Sequence, residues 1–499
     1  MYKLNRFFIL RKTLNRQKYL STIVNGVEEP IKPWKKIPGP LSLPIIGQIL
    51  HFLPGGWLHK RSIELQQLLY ENYGPIVRLD GNLGFPPITF LFDPEAAITL
   101  FRKEESLPFR PGFESLVYHR KHFYNKNVDD SCGVLFDQGE DWKKLRSLVN
   151  PVMMHTKTIK LYTNALAEVA DDMVHRLKSK RNKQNMIETN LFNELNLWAL
   201  ESTGLVTFGE RLNCLDPNLS NNSPAMKLIK TQQESLCMIE KLDFQPSLWK
   251  YITTPAYKKG IKTFDDNLRY TWFFIDRAIQ KLKSKEDTSD EIKGIFEKIF
   301  KIDRDVAVTL ANDLILAGVD TSANTSLGIL YHLAANLEKQ NKLREEVLSK
   351  QTSTYLKACI KEGMRLYPVV GGNFRKTMKE HEVLGYRIPK NMVIILGNQY
   401  LCSVEDQFPQ PSEFIPERWI VDKNNPLYYG NAHPFAYAPF GFGVRSCVGR
   451  RIADLQIEML ISKIVENFKL DWIGPPPKRT RRSTLNYILE PYNLVFNDI

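Results

Sequence analysis

The sequence predicts a mainly α-helical protein with small β-sheets. That class follows from apolar residues recurring at three- and four-residue spacing over long stretches, the longest at 139–180, 258–285 and 303–349, against only four short runs with strand alternation. Glycine and proline, 27 and 29 of 499 residues, are too few for a collagen-like or low-complexity chain, and 43% hydrophobic residues suffice for a sizeable core.

In chain order, residues 1–27 carry six basic side chains (Lys3, Arg6, Arg11, Lys12, Arg16, Lys18) before the first carboxylates, Glu28 and Glu29. That asymmetry reads as a mitochondrial transit peptide over 1–29. Its longest apolar run, Phe7–Leu10, falls far short of the roughly 20 residues that span a bilayer. A proline-rich lead-in follows over 30–45, too dense in proline for helix, and the folded domain is expected over 46–499. Helices are expected over 57–73, 139–180 with a break at Asn150-Pro151, 187–206, 223–240, 258–285, 303–349, 353–366 and 448–467. Strands are expected over 75–79, 87–92, 382–388 and 392–396, and an irregular stretch over 402–446.

The net charge of +13 falls to +9 without residues 1–29, so most of the excess lies in the body. The basic tract Lys478, Arg479, Arg481, Arg482 has no interleaved aromatics and reads as a solvated loop rather than a nucleic-acid patch. The six cysteines are scattered without a CxxC pair, which argues against a disulfide framework or a zinc knuckle.

Chemistry concentrates in Phe440-Gly441-Phe442-Gly443-Val444-Arg445-Ser446-Cys447-Val448-Gly449-Arg450-Arg451-Ile452-Ala453. Gly441 and Gly443 permit a tight turn before Cys447, and Gly449 permits a flat cofactor or a strand close to the helix start. A cysteine at a helix N-terminus meets free N–H groups and the positive dipole end, which favour the thiolate, a soft anionic ligand. A buried structural cysteine is the competing reading. A phosphate-cradling loop is excluded, because a third glycine at 446 and a Walker lysine are both missing.

This segment resembles the haem-thiolate loop of cytochromes P450, matching its Phe, Gly, Arg, Cys, Gly and Ala positions. The resemblance implies the cytochrome P450 fold and haem b (iron protoporphyrin IX), with Cys447 as axial iron ligand, Phe440 packed on the sulfur, Gly449 beside it and Arg445 paired with a haem propionate. Glu362-x-x-Arg365 and the segment Phe414-Ile415-Pro416-Glu417-Arg418-Trp419 match the family's structural triad, here Glu362, Arg365 and Arg418. Arg375 and the pair Trp142 and Arg146 match its remaining propionate ligands. Ala317-Gly318-Val319-Asp320-Thr321-Ser322 matches its oxygen-binding segment, with 317, 318, 320 and 321 expected on one helix face, room beside the iron, and proton delivery through Asp320 and Thr321.

Trp142-Lys143-Lys144-Leu145-Arg146, the following Val149–Met153 and Pro108–Gly112 look like the mitochondrial branch, particularly its insect members. That branch takes electrons from an acidic ferredoxin fed by an NADPH-dependent reductase, and Lys357 and Lys361 match its docking lysines. The resemblance therefore implies a haem-thiolate monooxygenase that inserts one oxygen of O2 into a lipophilic substrate, steroid-like or xenobiotic. Its expected place is the matrix side of the mitochondrial inner membrane, in peripheral contact with the lipid. One departure stands out. Only nine residues, Val347–Tyr355, separate Glu346 from Leu356, where the family has a longer link. The alternative is thus a haem-thiolate ligand-binding protein or inactive paralogue, impaired by the short 347–355 segment.

Overall fold

The structure is a computed structural model that describes residues 23–24, 27–28, 30–44, 46–59, 61–81, 86–103, 107–123, 131–284 and 293–499. The transit peptide expected over 1–29 lies almost wholly outside them. Contacts divide the chain into a small unit, residues up to Pro111 with Gly372–Leu401, and a large unit, Gly112–Gly371 with Cys402–Ile499.

The small unit begins with β1 (Ile23–Val24), β2 (Val27–Glu28) and β3 (Lys32–Pro33), then α1 (Leu65–Tyr73), β4 (Ile76–Leu79), β5 (Ile88–Leu91) and α2 (Pro94–Lys103). Helix is expected from 57, but residues 57–59 and 62–64 form turns and α1 starts only at Leu65. The chain returns to this unit with β6 (Asn373–Lys376), β7 (His381–Val383), β8 (Tyr386–Ile388) and β9 (Val393–Leu396). Four strands form a mixed sheet in the order β4-β5-β9-β6, in which Ile394 pairs with Thr89 on one side and Arg375 on the other. Every residue of β9 is buried, as an unbroken Val-Ile-Ile-Leu run in a central strand requires.

The large unit carries α3 (Glu114–His122), α4 (Gly139–Met153), α5 (Thr156–Lys160), α6 (Thr163–Ser179), α7 (Leu191–Phe208), α8 (Pro224–Asp243), α9 (Pro255–Ser284), α10 (Ile295–Phe300), α11 (Arg304–Ala334), α12 (Leu337–Ser349) and α13 (Thr354–Leu366). It closes with α14 (Arg450–Asn467), β10 (Phe468–Trp472), β11 (Arg479–Arg482), β12 (Leu485–Ile488) and β13 (Leu494–Asp498). The Asp303 carboxylate caps the start of α11, accepting from the N–H groups of Asp305 and Val306 at 3.0 Å. This 31-residue helix is apolar on most of its circumference because it runs through the core, with α7, itself buried on nearly every side, packed along it. By length and composition α11 could cross a membrane, but most of its apolar stretch is covered by the large unit.

Two expectations are corrected here. The helix expected to break at Asn150-Pro151 instead runs on to Met153, with Pro151 inside it. The basic tract is a solvated loop only in part: Lys478 and Arg482 are exposed, but the arginines are not in a loop. Arg479–Arg482 is strand β11, paired antiparallel with β12, and Arg479 stacks 4.2 Å above the Tyr367 ring. Burial pulls the Arg481 guanidinium down to about 10.

Candidate active site

The loop before α14 has the turn that its glycines permit. Gly441 and Gly443 take φ of 68° and 66°, the left-handed region that side chains with a Cβ avoid, and the Cys447 N–H donates to the Phe440 carbonyl at 2.8 Å. Helix α14 starts at Arg450, so Cys447 lies in the turn just outside the helix rather than in its first turn. Its side chain is exposed, as is that of Cys237 on α8, whereas Cys132, Cys214, Cys359 and Cys402 are buried; only Cys447 stands in the glycine turn. A Cβ built at Gly449 would meet, apart from its own chain neighbours, only the Cys447 Sγ at 3.9 Å.

Three sequence-predicted residues gather around this loop. Arg146 of α4 donates through Nη2 to the Ser446 carbonyl at 2.8 Å. Burial lowers the pKa of its guanidinium, and the charge of Cys447 partly restores it. Arg445 lies flat over Trp142, 3.9 Å from the ring centroid, and donates to the Asp137 carbonyl at 2.8 Å and the Gln138 side chain at 2.7 Å. Trp142 Nε1 and Arg146 Nε are buried donors with no partner among the described residues. Buried donors are ordinarily paired, so two orphans beside an exposed thiol fit a ligand that brings a soft metal and anionic oxygens. Haem with its propionates has that character. Arg375 belongs to β6 of the small unit, where it is buried, donates to the Phe374 carbonyl at 2.8 Å and stacks 5.6 Å from the Phe101 ring.

The irregular stretch that delivers Cys447 is held by a buried charge cluster. Glu362, Arg365 and Arg418 are each at most 1% exposed. Glu362 accepts five hydrogen bonds: two from Arg365 (2.7 and 2.9 Å), one each from Arg418 and Trp419 (both 2.9 Å), and one from the Ile415 N–H (3.1 Å). Arg365 then reaches the carbonyls of Cys402, Pro411 and Glu413, and Arg418 that of Pro409. Carbonyls without secondary structure to pair them are thereby satisfied. Trp419 is a fourth member that the charge pattern did not identify, although it stands in the same Pro416–Trp419 turn.

On α11 a stripe of half-exposed residues, Ala317, Gly318, Thr321 and Thr325, interrupts an otherwise buried surface. The Thr321 hydroxyl donates to the Ala317 carbonyl at 2.7 Å. Two expectations change. Asp320 is only 2% exposed and is turned off the stripe, its Oδ2 accepting from the Tyr487 hydroxyl at 3.0 Å. Burial pushes this carboxyl up to about 6, with Tyr487 and Arg482 pulling the other way. A Cβ at Gly318 would approach Thr203 of α7 to 3.2 Å, so close helix packing, not only room for a ligand, requires a small residue there.

Lys357 and Lys361 are exposed on one face of α13. They do not form a purely cationic stripe. Burial raises Glu458 and Asp454 of α14, while Lys357 draws the first back down, and Arg450, Arg451 and Lys361 the second. The short link from α12 to α13 is a formed turn. Lys350 takes φ of 55°, and the Glu346 carboxylate accepts from the N–H groups of Tyr355 (2.8 Å) and Leu356 (2.9 Å) and from the Thr352 hydroxyl (2.9 Å). Glu346 so replaces the side-chain cap that Ser353 does not make.

Comparison with known proteins identifies the family. The family model described as Cytochrome P450 matches residues 37–496. Similar proteins include cytochrome P450 CYP12A2 of Musca domestica, 33% identical with 96% of this chain and 93% of the relative covered. Probable cytochrome P450 12b2, mitochondrial, of Drosophila melanogaster is 33% identical over 95% and 91% of the two chains. Probable cytochrome P450 12c1, mitochondrial, of the same species is 35% identical over 89% and 88%.

Proposed function

The chain belongs to the cytochrome P450 family and is accordingly a haem-containing monooxygenase, and from that premise we propose that it is a mitochondrial, ferredoxin-dependent enzyme acting on a lipophilic substrate, steroid-like or xenobiotic. The observation that carries the site assignment is the exposed Cys447 thiol in a left-handed glycine turn beside the orphan donors of Trp142 and Arg146. Cys447 would hold the iron, and Trp142, Arg146 and Arg445 the propionates; Arg375 is a further propionate ligand by its match to the family pattern alone. The absence of any CxxC pair favours a non-covalently held haem b. When bound, the haem supplies the oxygen chemistry, one atom of O2 going to substrate and the other to water.

The chain's own contributions follow from the geometry. Phe440 fixes the Cys447 N–H through its carbonyl, and the Glu362 cluster holds the stretch that carries both. Thr321 offers a hydroxyl on the open stripe of α11, and Asp320, with a carboxyl poised near 6, can take up and release a proton at neutral pH. Lys357 and Lys361, with Arg450 and Arg451, form the face on which an acidic ferredoxin would dock, reduced in turn by an NADPH-dependent reductase. Exposed Leu41, Leu50, Leu53 and Trp57 in the small unit support peripheral contact with the inner membrane on the matrix side. The transit peptide over 1–29, the lead-in over 30–45 and the haem-thiolate domain over 46–499 complete the reading.

The short 347–355 segment is the only reason for an inactive, ligand-binding reading, and the Glu346-capped turn speaks against a damaged fold there. Reconstitution with a mitochondrial ferredoxin, its reductase and NADPH tests the proposal. Substrate-stimulated NADPH oxidation with oxygenated product is expected from a panel of sterols, plant toxins and insecticides. Ligand-induced spectral shifts without electron uptake would overturn it in favour of the binding protein.

A further inference from the structure

The fully buried carboxylate of Glu362 is paired at both oxygens, by five donors. Asp320 is different. Its Oδ2 has one donor, the Tyr487 hydroxyl at 3.0 Å, and its Oδ1 is buried with no partner among the described residues. An unpaired oxygen on a carboxylate that is only 2% exposed calls for an explanation.

Tyr487 is a fixed point. It lies on β12 opposite Thr480 of β11, is 6% exposed, and meets Phe192 of α7 edge to face at 5.9 Å. The preceding residue on the strand is anchored on three sides: the Asn486 N–H donates to the Val369 carbonyl at 2.7 Å, its side chain to the Pro368 carbonyl at 2.7 Å, and its own carbonyl accepts from Asn324, one turn beyond Asp320 on α11. The tyrosine hydroxyl is thus held against α11 by contacts that do not involve Asp320. The other titratable and charged groups that act on this carboxyl are Arg482 of β11 and Cys237 of α8.

We propose that Tyr487 is a positioning residue for the reaction: its hydroxyl grips Asp320 by Oδ2, holds the carboxylate off the Ala317, Thr321 and Thr325 stripe, and leaves Oδ1 as the oxygen that accepts a proton and passes it toward the Thr321 hydroxyl. This rests on the reading of Asp320 and Thr321 as the proton-delivering pair. A hydrogen bond donated to a carboxylate favours its charged form, so Tyr487 also offsets part of the burial that pushes Asp320 up to about 6. Losing that donor should raise the carboxyl further, by about one to two pH units.

The test uses the full-length holoenzyme with Tyr487→Phe, Asp320→Asn, and 3-fluorotyrosine incorporated at position 487, which keeps the ring and strengthens the donor. The carboxyl band in infrared difference titration, assigned by its loss in Asp320→Asn, should move to higher pH in Tyr487→Phe and to lower pH with fluorotyrosine. The alkaline limb of turnover should follow in the same directions. The fraction of NADPH electrons reaching product should fall severalfold in Tyr487→Phe, with the ferrous carbonyl spectrum intact. An unmoved band and unmoved limb in the fluorotyrosine enzyme would overturn the proposal even if Tyr487→Phe folds poorly. Undiminished coupling in Asp320→Asn would instead overturn the proton-delivery reading beneath it.

Discussion

Replacing Glu362 by glutamine changes one oxygen to an NH2 group and removes one charge, in a position where the structure leaves no room for either change. Five donors converge on the carboxylate at 2.7–3.1 Å, and a glutamine must turn its amide nitrogen toward Arg365 Nε and Trp419, or toward Arg365 Nη2, Arg418 and Ile415, setting donor against donor. It also leaves two guanidinium groups, each at most 1% exposed, without a counter-charge. Breaking a buried ion pair from one side costs about 3–5 kcal/mol, against a native stability of about 5–15 kcal/mol. Because Arg365 and Arg418 pin the carbonyls of Cys402, Pro409, Pro411 and Glu413 ahead of Cys447, the damage should first appear at the haem. The assay is urea unfolding followed in parallel by Soret absorbance and far-ultraviolet circular dichroism, with haem content measured at purification. Glu362→Gln should purify with little haem and lose the Soret band at much lower urea, while Trp419→Phe, which removes one donor, should cost about 1–2 kcal/mol. A Glu362→Gln protein with full haem content and an unchanged Soret midpoint would refute the reasoning.

Gly443→Ala should destabilise haem binding by about 1–2 kcal/mol through backbone conformation alone, since a Cβ there meets nothing within 4 Å while φ is 66°; haem-loss rates check this. Glu346→Ala removes the acceptor for two N–H groups of α13 and should lower stability by about 1–2 kcal/mol in urea titration, whereas an unchanged midpoint would mean that the short link is not a built cap. Charge reversal in Lys357→Glu with Lys361→Glu should raise the ferredoxin concentration needed for half-maximal reduction, flatten its salt dependence, and leave the ferrous carbonyl spectrum unchanged, as stopped-flow reduction at several ionic strengths would show. Burial pushes Asp243 up to about 6, above the value of about 4 in an unfolded chain, so its proton stabilises the native state at low pH, and that stability is lost as pH rises through about 6. Urea midpoints across that window should fall less in Asp243→Asn than in the parent.

The readable parts of the fold were those with local causes. The apolar periodicity around α11 and the Val-Ile-Ile-Leu run of β9 reflect burial that repeats with the element's own period, and Gly441 and Gly443 mark a turn that only glycine enters freely. What escaped depends on distant partners. Arg479–Arg482 looks like a solvated loop until Tyr367 and Asn486 are placed against it, because stacking and one amide oxygen, not hydrophobicity, draw in Arg479 and Arg481, while Arg482 stays exposed. Charge and spacing place Glu362 and Arg365 one turn apart, but the role of Trp419 needs the fold that brings its indole N–H to Glu362. Asp320 is legible beside Thr321, yet its grip by Tyr487 spans 167 residues of sequence and carries no local signal. In the sequence Gly318 points toward a ligand, but its missing Cβ also faces Thr203, a packing cause that sequence cannot distinguish from a functional one.

The central claim is that the exposed thiol of Cys447 binds the iron as thiolate. The ferrous carbonyl spectrum of the purified protein tests it most directly. The account predicts a red-shifted Soret band in the parent and its loss in Cys447→Ala, with Cys237→Ala, the other exposed cysteine, unchanged. A parent without that band, or a Cys447→Ala protein that retains it, would contradict the account.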